Sequence, residues 1–317
     1  MQVFRSLPPI DQRQPCALTI GNFDGVHRGH KALLDHVRQA ASALGIKSCV
    51  LTFEPHPREF FAARNPQLAA PNRIATLRDK LQALAQVGID QTCVVHFNER
   101  FASLEPASFI RQVLVDGLQV RWLLIGDDFR FGARRQGDFA ALKSASQADG
   151  FELHSMPTVA QDGQRVSSSA VRQALAAGNL EQAERLLGRP YSISGHVVHG
   201  RKLGRELGFP TLNLRLTHGR PALNGIFVVS VHGLADRPLA AVASLGTRPA
   251  VETNGAPLLE THVLDWRGDA YGKLIRVEFM RKLRDEAHYD TLDALVEQIR
   301  IDADQARAHF AAATVRP

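Results

Sequence analysis

The chain has 317 residues, about twice the usual size of one domain, so two domains are expected. Hydrophobic residues make up 44% and charged residues 22%, as in ordinary globular proteins, and no apolar stretch is long enough to span a membrane. The net charge of +6 suits anionic small substrates, while the lack of a long Lys/Arg run argues against a dedicated nucleic-acid surface. We therefore predict a cytoplasmic protein with no membrane or nucleic-acid partner.

The N-terminal half alternates short apolar runs, typical of strands, with segments of helical periodicity. This alternation predicts an α/β domain over residues 1–187, with a parallel, Rossmann-like sheet and helices on both faces. Cys16, Cys49 and Cys93 lie in the strand-like runs, which predicts buried thiols rather than disulfides. The predicted strands are 17–20, 49–53, 92–97, 122–125 and 151–156, and the predicted helices are 31–44, 73–86, 106–116 and 138–147.

The segment 21–30 reads GNFDGVHRGH and joins the first of these strands to the first helix. His27 and His30 therefore lie at a helix N-terminus, where backbone N–H groups and the helix dipole favour anions. Gly25 and Gly29 allow a phosphate to approach the backbone closely. A phosphate site is the favoured interpretation, but half of a metal site, or two histidines that cap the helix without a ligand, remain alternatives.

Three further segments adjoin this one in the predicted fold. Segments 54–57 (EPHP) and 126–132 (GDDFRFG) follow strands, and ligands of parallel sheets bind beyond the carboxyl ends of the strands. Segment 166–172 (VSSSAVR) leads into a predicted helix over 170–177, followed by another over 179–187. Its serines act either as helix caps or as ligands of ATP phosphates, with Arg172 adding positive charge.

From residue 188 the pattern changes to short strands separated by Gly, Pro and Asn turns. This pattern predicts a small antiparallel β-barrel domain over 188–317, with a C-terminal helix over 291–310 packed on it. The predicted strands are 192–198, 212–216, 226–232, 239–244, 259–264 and 274–279.

The segment 200–214 reads GRKLGRELGFPTLNL and combines glycine, basic residues and a strand. Thr211 and Asn213 are two residues apart, so both point to one face of the strand, and their oxygens suit a Mg²⁺ shared with phosphates. Glu260 lies in another apolar strand and faces either the barrel interior, where a carboxylate is costly unless it is functional, or solvent. Surface residues after a glycine-rich turn are the alternative for this segment.

Taken together, these motifs resemble those of the bifunctional prokaryotic riboflavin kinase/FAD synthetase family. The N-terminal likeness rests on GNFDGVHRGH, TFEPHP (52–57), GDDFRFG and VSSSAVR, and the C-terminal one on GRKLGRELGFPTLNL, NGIFVVSV (224–231), LETHVLDW (259–266), YGKLIRVEF (271–279) and KLRDE (282–286). The resemblance covers nearly the whole chain. It implies that ATP phosphorylates riboflavin to FMN, that a second ATP adenylylates FMN to FAD, and that both reactions need Mg²⁺.

The resemblance also assigns residues to the two sites. It implies that Glu260 is the base of the kinase, and that His27 and His30 contact the ATP phosphates in the adenylyltransferase. The oligomeric state stays open, and a homo-oligomer is possible. The implied ATP contacts of the adenylyltransferase are Asn22, Phe23, Asp24, Gly25, His27, His30, Asp127, Ser168, Ser169 and Arg172. Those of the kinase are Gly200, Lys202, Gly204, Gly208, Thr211 and Asn213, the last two also binding the metal. The implied flavin contacts are Phe53, Pro55, His56, Pro57, Phe129, Arg284 and Glu286.

The chain departs from the family pattern at three positions. Leu212 stands in PTLN where PTAN is common, but strand alternation should turn it away from the metal. Ala250 replaces a threonine on the flavin side, and Ser169 replaces a threonine while keeping the hydroxyl. Two other functions remain alternatives: an HxGH nucleotidyltransferase for another phosphate substrate, or a barrel that binds single-stranded nucleic acid.

Overall fold

The computed structural model of the chain describes residues 1–157, 160–161, 164–200, 204, 207–216, 219–247 and 257–314. The chain forms two compact units, one of Met1–Pro71 and Lys80–Ser167, the other of Asn72–Asp79 and Ser168–Pro317. The predicted sheet and the predicted barrel therefore lie in different units. Residues 168–187 group with the barrel, and the predicted domain boundary after residue 187 stays a prediction.

The first unit is built on a six-stranded parallel sheet, as predicted. Its strands are β1 (Gln2–Phe4), β2 (Cys16–Ile20), β3 (Lys47–Glu54), β4 (Gln91–His96), β5 (Val120–Gly126) and β6 (Glu152–Met156). They are ordered β1-β4-β3-β2-β5-β6, and every pair is parallel. From β2 the chain runs outward to β3 on one side and later to β5 on the other, so the strand order reverses between β2 and β5. Ligands bind at such a reversal in open α/β sheets.

Helices connect these strands and cover both faces of the sheet. They are α1 (Arg28–Leu44), α2 (Pro57–Ala62), α3 (Leu77–Val87), α4 (Glu99–Ala102), α5 (Pro106–Phe109) and α6 (Phe139–Asp149). Along β2 the side chains alternate between two cores: Leu18 packs with Phe109 and Leu142 on one face, and Ala17 packs with Val37 of α1 on the other. The three cysteines are buried and unpaired, as predicted.

Helix α1 begins three residues before its predicted start, and two other predicted helices differ more from the observed ones. The predicted helix over 106–116 is α5 followed by a π-helical segment, Ile110–Val115. The predicted helix over 73–86 begins only at Leu77. Arg73 is held in an extended bridge instead, because its N–H donates to the Arg220 carbonyl and its carbonyl accepts the Ala222 N–H.

Next along the chain come a short hairpin and two helices. The hairpin is formed by β7 (Ala160–Gln161) and β8 (Gln164–Arg165), and the helices are α7 (Ser168–Ala176) and α8 (Leu180–Leu187). Helix α7 begins two residues before the predicted start, so Ser168 and Ser169 lie in its first turn. Helix α8 is capped by Asn179, whose side chain accepts the Gln182 N–H.

The second unit contains the predicted antiparallel barrel. Its strands are β9 (Ser192–His196), β10 (Leu212–Arg215), β11 (Gly225–His232), β12 (Leu239–Thr247), β13 (Pro257–Val263) and β14 (Leu274–Arg284), ordered β10-β13-β12-β11-β14-β9. An antiparallel bridge between Val198 and Asn213 joins the two ends of the sheet, which is thus nearly closed. The predicted C-terminal helix is α9 (Leu292–Thr314), and its Ala303 and Ala306 pack on Val228 and Leu264.

Within the described parts of the chain, no helix has both the length and the apolar character needed to cross a membrane.

Candidate functional sites

The first candidate site lies in the loops that follow β3, β2 and β5, which are neighbours in the sheet. These loops are segments 54–57, 21–27 and 126–132, which belong to three of the four segments that the sequence predicted for this site. Because the strands are parallel, their carboxyl ends share one edge of the sheet. The fold therefore brings these three loops to the same edge, at the reversal of strand order.

His27 caps the N-terminus of α1 with its side chain. Its Nδ1 accepts the backbone N–H of His30 at 3.3 Å, and the two imidazole rings stack with their centroids 3.6 Å apart. A ring nitrogen that accepts a hydrogen bond carries no proton, so the neutral ring of His27 carries its proton on Nε2. The cap thus fixes His27 as an Nε2–H donor beside a helix N-terminus that favours anions.

The backbone before this helix is strained. Phe23, Gly25 and Val26 have φ values of 47°, 85° and 41°, and such a conformation is especially unfavourable for the β-branched Val26. Strain of this kind persists where packing enforces it, and both Phe23 and Val26 are buried in one apolar cluster. The Phe23 ring lies 5.0 Å from the His30 ring, so its side chain supports the site from the core.

Two polar groups of the same loop are buried. The Asp24 side chain is buried, and Asn22 Oδ1 is buried with no hydrogen-bond partner among the described residues. A buried acceptor without a partner is costly unless a ligand or water satisfies it. Strand β3 also fixes the loop, because Thr52 Oγ1 donates to the Asn22 carbonyl at 3.2 Å. Nζ of the buried Lys80 lies 3.5 Å from Thr52 Oγ1.

The predicted flavin contacts of the first unit differ in burial. His56 is buried and caps α2, since its Nδ1 accepts the Arg58 N–H at 3.1 Å while Glu59 accepts the His56 N–H. Phe53 and Phe129 are half-buried, and they belong to a chain of aromatic contacts that includes Phe97, Phe101 and Phe131. Pro55 and Pro57 are half-buried beside His56, whereas Asp127 is exposed.

Ser168, Ser169 and Arg172 belong to the second compact unit. The serines open α7, and Arg172 Nε donates to the Asn72 carbonyl at 2.7 Å. Their predicted role at the ATP phosphates stays a prediction.

The second candidate site is a cavity of about 290 Å³ in the barrel unit. Its walls include six of the predicted residues: Gly204, Thr211, Asn213, Glu260, Arg284 and Glu286. Glu260 is half-buried and opposes Asn213 across the β10–β13 ladder. Thus Glu260 faces the cavity, and Thr211 and Asn213 share one face of the chain, as strand alternation predicted. Leu212 does not line this cavity, but it lines the larger one described below.

Asn213 has the properties of a metal or phosphate ligand. Its Nδ2 donates to the Thr211 carbonyl at 3.2 Å, while its buried Oδ1 has no hydrogen-bond partner among the described residues. Hard oxygen donors of this kind suit Mg²⁺. Among the described residues, no group of three or more His, Cys, Asp or Glu side chains could hold a metal ion.

Among the predicted glycines, Gly200 lies against Asn213, Gly204 lines this cavity and Gly208 lines a neighbouring one. A Cβ on Gly200 would approach Asn213 Nδ2 to 2.5 Å, so only glycine allows the observed position of that amide. Gly204 lines the cavity, and Gly208 has a φ of 86°. Lys202 lies outside the described residues, as does Ala250.

Two carboxylates, those of Glu260 and Glu286, line one side of the cavity and interact with each other. Burial and the negative charge of Glu260 raise the pKa of Glu286, and the hydrogen bond from Ser244 at 3.3 Å and the Arg284 charge only partly offset them. Arg284 in turn forms an ion pair with Asp302 of α9. Leu295, Ile299 and Asp302 of α9 all line the cavity. Asp302 was not predicted, because the helical pattern of α9 marks its apolar residues and not the polar residue beside them.

A larger cavity, of about 950 Å³, adjoins the first. Phe209, Thr211 and His262 line both cavities, and Trp266 and Tyr271 add aromatic surface to the larger one. Sequence reasoning did not find this second cavity, because its walls come from loops distant in the chain. The two cavities thus share three lining residues, Thr211 among them.

Comparisons with known proteins cover both units. The FAD synthetase family matches residues 10–170 and the riboflavin kinase family matches residues 187–310. The bifunctional riboflavin kinase/FMN adenylyltransferase of Escherichia coli K12 is 45% identical over 98% of each chain, and that of Pseudomonas fluorescens is 46% identical over 97% of each. A crystal structure described as a macrolide-efflux protein from Streptococcus pneumoniae is 28% identical, with a TM-score of 0.75 over 96% of this chain and 98% of that one. With both halves matched and near-complete coverage by relatives of this identity, the chain belongs to the bifunctional riboflavin kinase/FMN adenylyltransferase family.

Proposed function

We propose that the chain performs the two reactions of its family at two separate sites, riboflavin phosphorylation in the barrel unit and FMN adenylylation in the first unit. In the barrel unit ATP phosphorylates the ribityl 5′-hydroxyl of riboflavin, giving FMN and ADP. In the first unit a second ATP adenylylates FMN, giving FAD and pyrophosphate. The observation that carries the proposal is the cavity where Glu260 faces Asn213, within a chain whose two halves match the two enzyme families.

In the kinase reaction the nucleophile is a neutral hydroxyl, which must lose its proton as the new P–O bond forms. Glu260 is the proposed base, because it faces the cavity and a carboxylate can accept that proton. Riboflavin would occupy the cavity beside Glu260, Arg284 and Glu286, and ATP the adjoining one. The γ-phosphoryl group would then be transferred near Thr211, which lines both. As the oxygen of riboflavin bonds to the γ-phosphorus, the bond to the bridging oxygen of ADP breaks.

Thr211 and Asn213 are the proposed protein ligands of Mg²⁺ in this site. The unsatisfied Asn213 Oδ1 supports the assignment, and the glycine at position 200 leaves it room. When bound, Mg²⁺ neutralises charge on the ATP phosphates. Gly200, Gly204 and Gly208 would lie along the nucleotide.

In the adenylyl reaction the FMN phosphate is already an anionic nucleophile, so no protein nucleophile is needed. An FMN phosphate oxygen bonds to the α-phosphorus of ATP, and the bond to pyrophosphate breaks. His27, through Nε2–H, and the N-terminus of α1 would stabilise the charge that moves to pyrophosphate. Asn22 and Asp24 would shape the same pocket, and Phe53, Phe129 and the 54–57 loop would contact the flavin.

Membership of the family favours this function over the two alternatives raised from the sequence, another HxGH nucleotidyltransferase and a nucleic-acid-binding barrel. Location in the cytoplasm, the absence of a nucleic-acid partner and a homo-oligomeric state stay predictions.

The proposal is tested by incubating the purified chain with riboflavin, ATP and Mg²⁺ and separating the flavins over time by chromatography. We expect FMN to appear first and FAD to follow. FMN without FAD would overturn the assignment of the first unit. Conversion of added FMN to FAD, with riboflavin unchanged, would overturn the assignment of the barrel.

A further inference from the structure

The ion pair between Arg284 and Asp302 is the most completely buried acid–base contact at the kinase cavity among the described residues. Arg284 Nε lies 3.1 Å from Asp302 Oδ1, and Arg284 Nη2 lies 2.7 Å from Asp302 Oδ2. The carboxylate side chain is 4% exposed and the guanidinium side chain 23%. This two-point geometry fixes both the distance and the plane of the guanidinium, which a single contact would not do.

Asp302 is itself held in place from α9. Gln298, one turn earlier, donates its Nε2–H to Asp302 Oδ1 at 3.0 Å. The other end of the guanidinium is tied to the backbone, because Arg284 Nη1 donates to the Asp285 carbonyl at 3.1 Å. These contacts use three of the five N–H groups of Arg284. The guanidinium is therefore oriented before any ligand arrives.

Arg284 also lies close to carboxylates with which it could pair instead. Glu286 interacts with the positive charge of Arg284 and with the negative charge of Glu260, and all three line the cavity. A guanidinium that left Asp302 would be drawn to Glu286, whose carboxylate interacts with both Arg284 and Glu260. It would then bring its positive charge closer to the carboxylate proposed to act as base, and it would occupy space beside the flavin.

We propose that Asp302 is a positioning residue for riboflavin phosphorylation: it holds Arg284 on α9, oriented toward the flavin and away from Glu260 and Glu286. This inference rests on the proposed function of the cavity. It assigns to the C-terminal helix a role in the kinase reaction that goes beyond packing on the barrel. Asp302 would act through Arg284, because its own side chain is only 4% exposed.

The test is the variant Asp302→Asn, which keeps the size of the side chain and removes its charge. We expect the KM for riboflavin to rise at least fivefold and kcat for riboflavin phosphorylation to fall. The KM for ATP should stay within twofold, and FMN adenylylation by the same chain should be unchanged. The adenylylation reports that the first unit is intact, and the unchanged KM for ATP reports that the barrel unit is folded.

Glu297→Gln is the matched control. Glu297 is also an acid on α9 that pairs with an arginine, Arg300, at 2.8 Å, but both side chains are 59% exposed and neither lines the cavity. This variant should behave as the unaltered chain. An equal effect of the two substitutions would overturn the proposal, since it would indicate a general effect on α9.

A double-mutant cycle tests whether Asp302 acts through Arg284. In the Arg284→Gln background, Asp302→Asn should add less than a twofold further change, because the group it positions is already absent. Full additivity of the two substitutions would overturn the proposal, as would unaltered kinetics of Asp302→Asn. Glu260→Gln is measured in parallel. If that variant keeps its kinase activity, the proposed function of the cavity fails, independently of the result for Asp302.

Discussion

Replacement of His27 by asparagine should separate its two roles, as a helix cap and as a hydrogen-bond donor to the ATP phosphates. The Nδ1 atom caps α1 by accepting the His30 N–H, and the proposed catalytic donor is Nε2–H. Asparagine is among the best N-cap residues, so His27→Asn keeps the cap but removes the donor. Loss of one preorganised donor at a developing charge costs about 100- to 1,000-fold in kcat. FMN adenylylation should fall by that factor, while riboflavin phosphorylation stays unchanged.

His27→Ala is the companion variant, because it removes both the donor and the cap. Loss of the cap costs about 1 kcal/mol, which lowers the melting temperature of a unit of this size by roughly 2–4 °C more than His27→Asn does. Both activities are followed by chromatography of the flavins, and stability by thermal unfolding. The reasoning is refuted if His27→Asn adenylylates FMN within threefold of the original rate, since activity would then follow the cap and not the donor.

Three further predictions concern the barrel unit. Glu260→Gln should slow riboflavin phosphorylation by about 100- to 10,000-fold, as loss of a general base does, and leave FMN adenylylation intact; equal loss of both reactions would contradict it. Gly200→Ala should displace the Asn213 amide, with which its Cβ collides, and raise the Mg²⁺ concentration for half-maximal kinase activity; an unchanged Mg²⁺ titration would speak against the metal assignment. The pKa of Glu286 is raised in the folded chain, chiefly by burial, so its contribution to stability is present below about pH 4 and is lost as the pH rises through the folded pKa. The melting temperature of Glu286→Gln should therefore rise relative to that of the original chain between pH 4 and pH 7. A difference in melting temperature that does not change with pH would contradict a raised pKa of Glu286.

The main strands could be predicted from the sequence because each carries its own apolar pattern. The parallel sheet follows from strands separated by helical segments, and the barrel from short strands separated by turns. Strand β1 was missed because three residues, Gln2–Phe4, carry too little pattern, and its parallel pairing with residues 91–93 is a long-range contact. The late start of α3 was missed for the same reason: Arg73 pairs with residues 220–222, far along the chain.

The candidate sites could be predicted where the chemistry lies in contiguous motifs. The His27 cap and the shared face of Thr211 and Asn213 follow from local spacing. The role of Asp302 could not be predicted, because its partner Arg284 lies on another element and only the packing of α9 on the barrel brings the two together. Lys80 was missed similarly: its burial beneath Thr52 depends on the sheet, not on the helical pattern of α3.

The most direct test of two independent sites in one chain is complementation between the variants Glu260→Gln and His27→Asn. Each purified variant, and an equal mixture of the two, is given riboflavin, ATP and Mg²⁺, and the flavins are separated over time. We predict unchanged riboflavin with the first variant, FMN alone with the second, and FAD with the mixture, because FMN made by one protein is adenylylated by the other. Loss of both reactions in either variant, measured with riboflavin and with added FMN, would contradict the assignment of the two reactions to two separate sites.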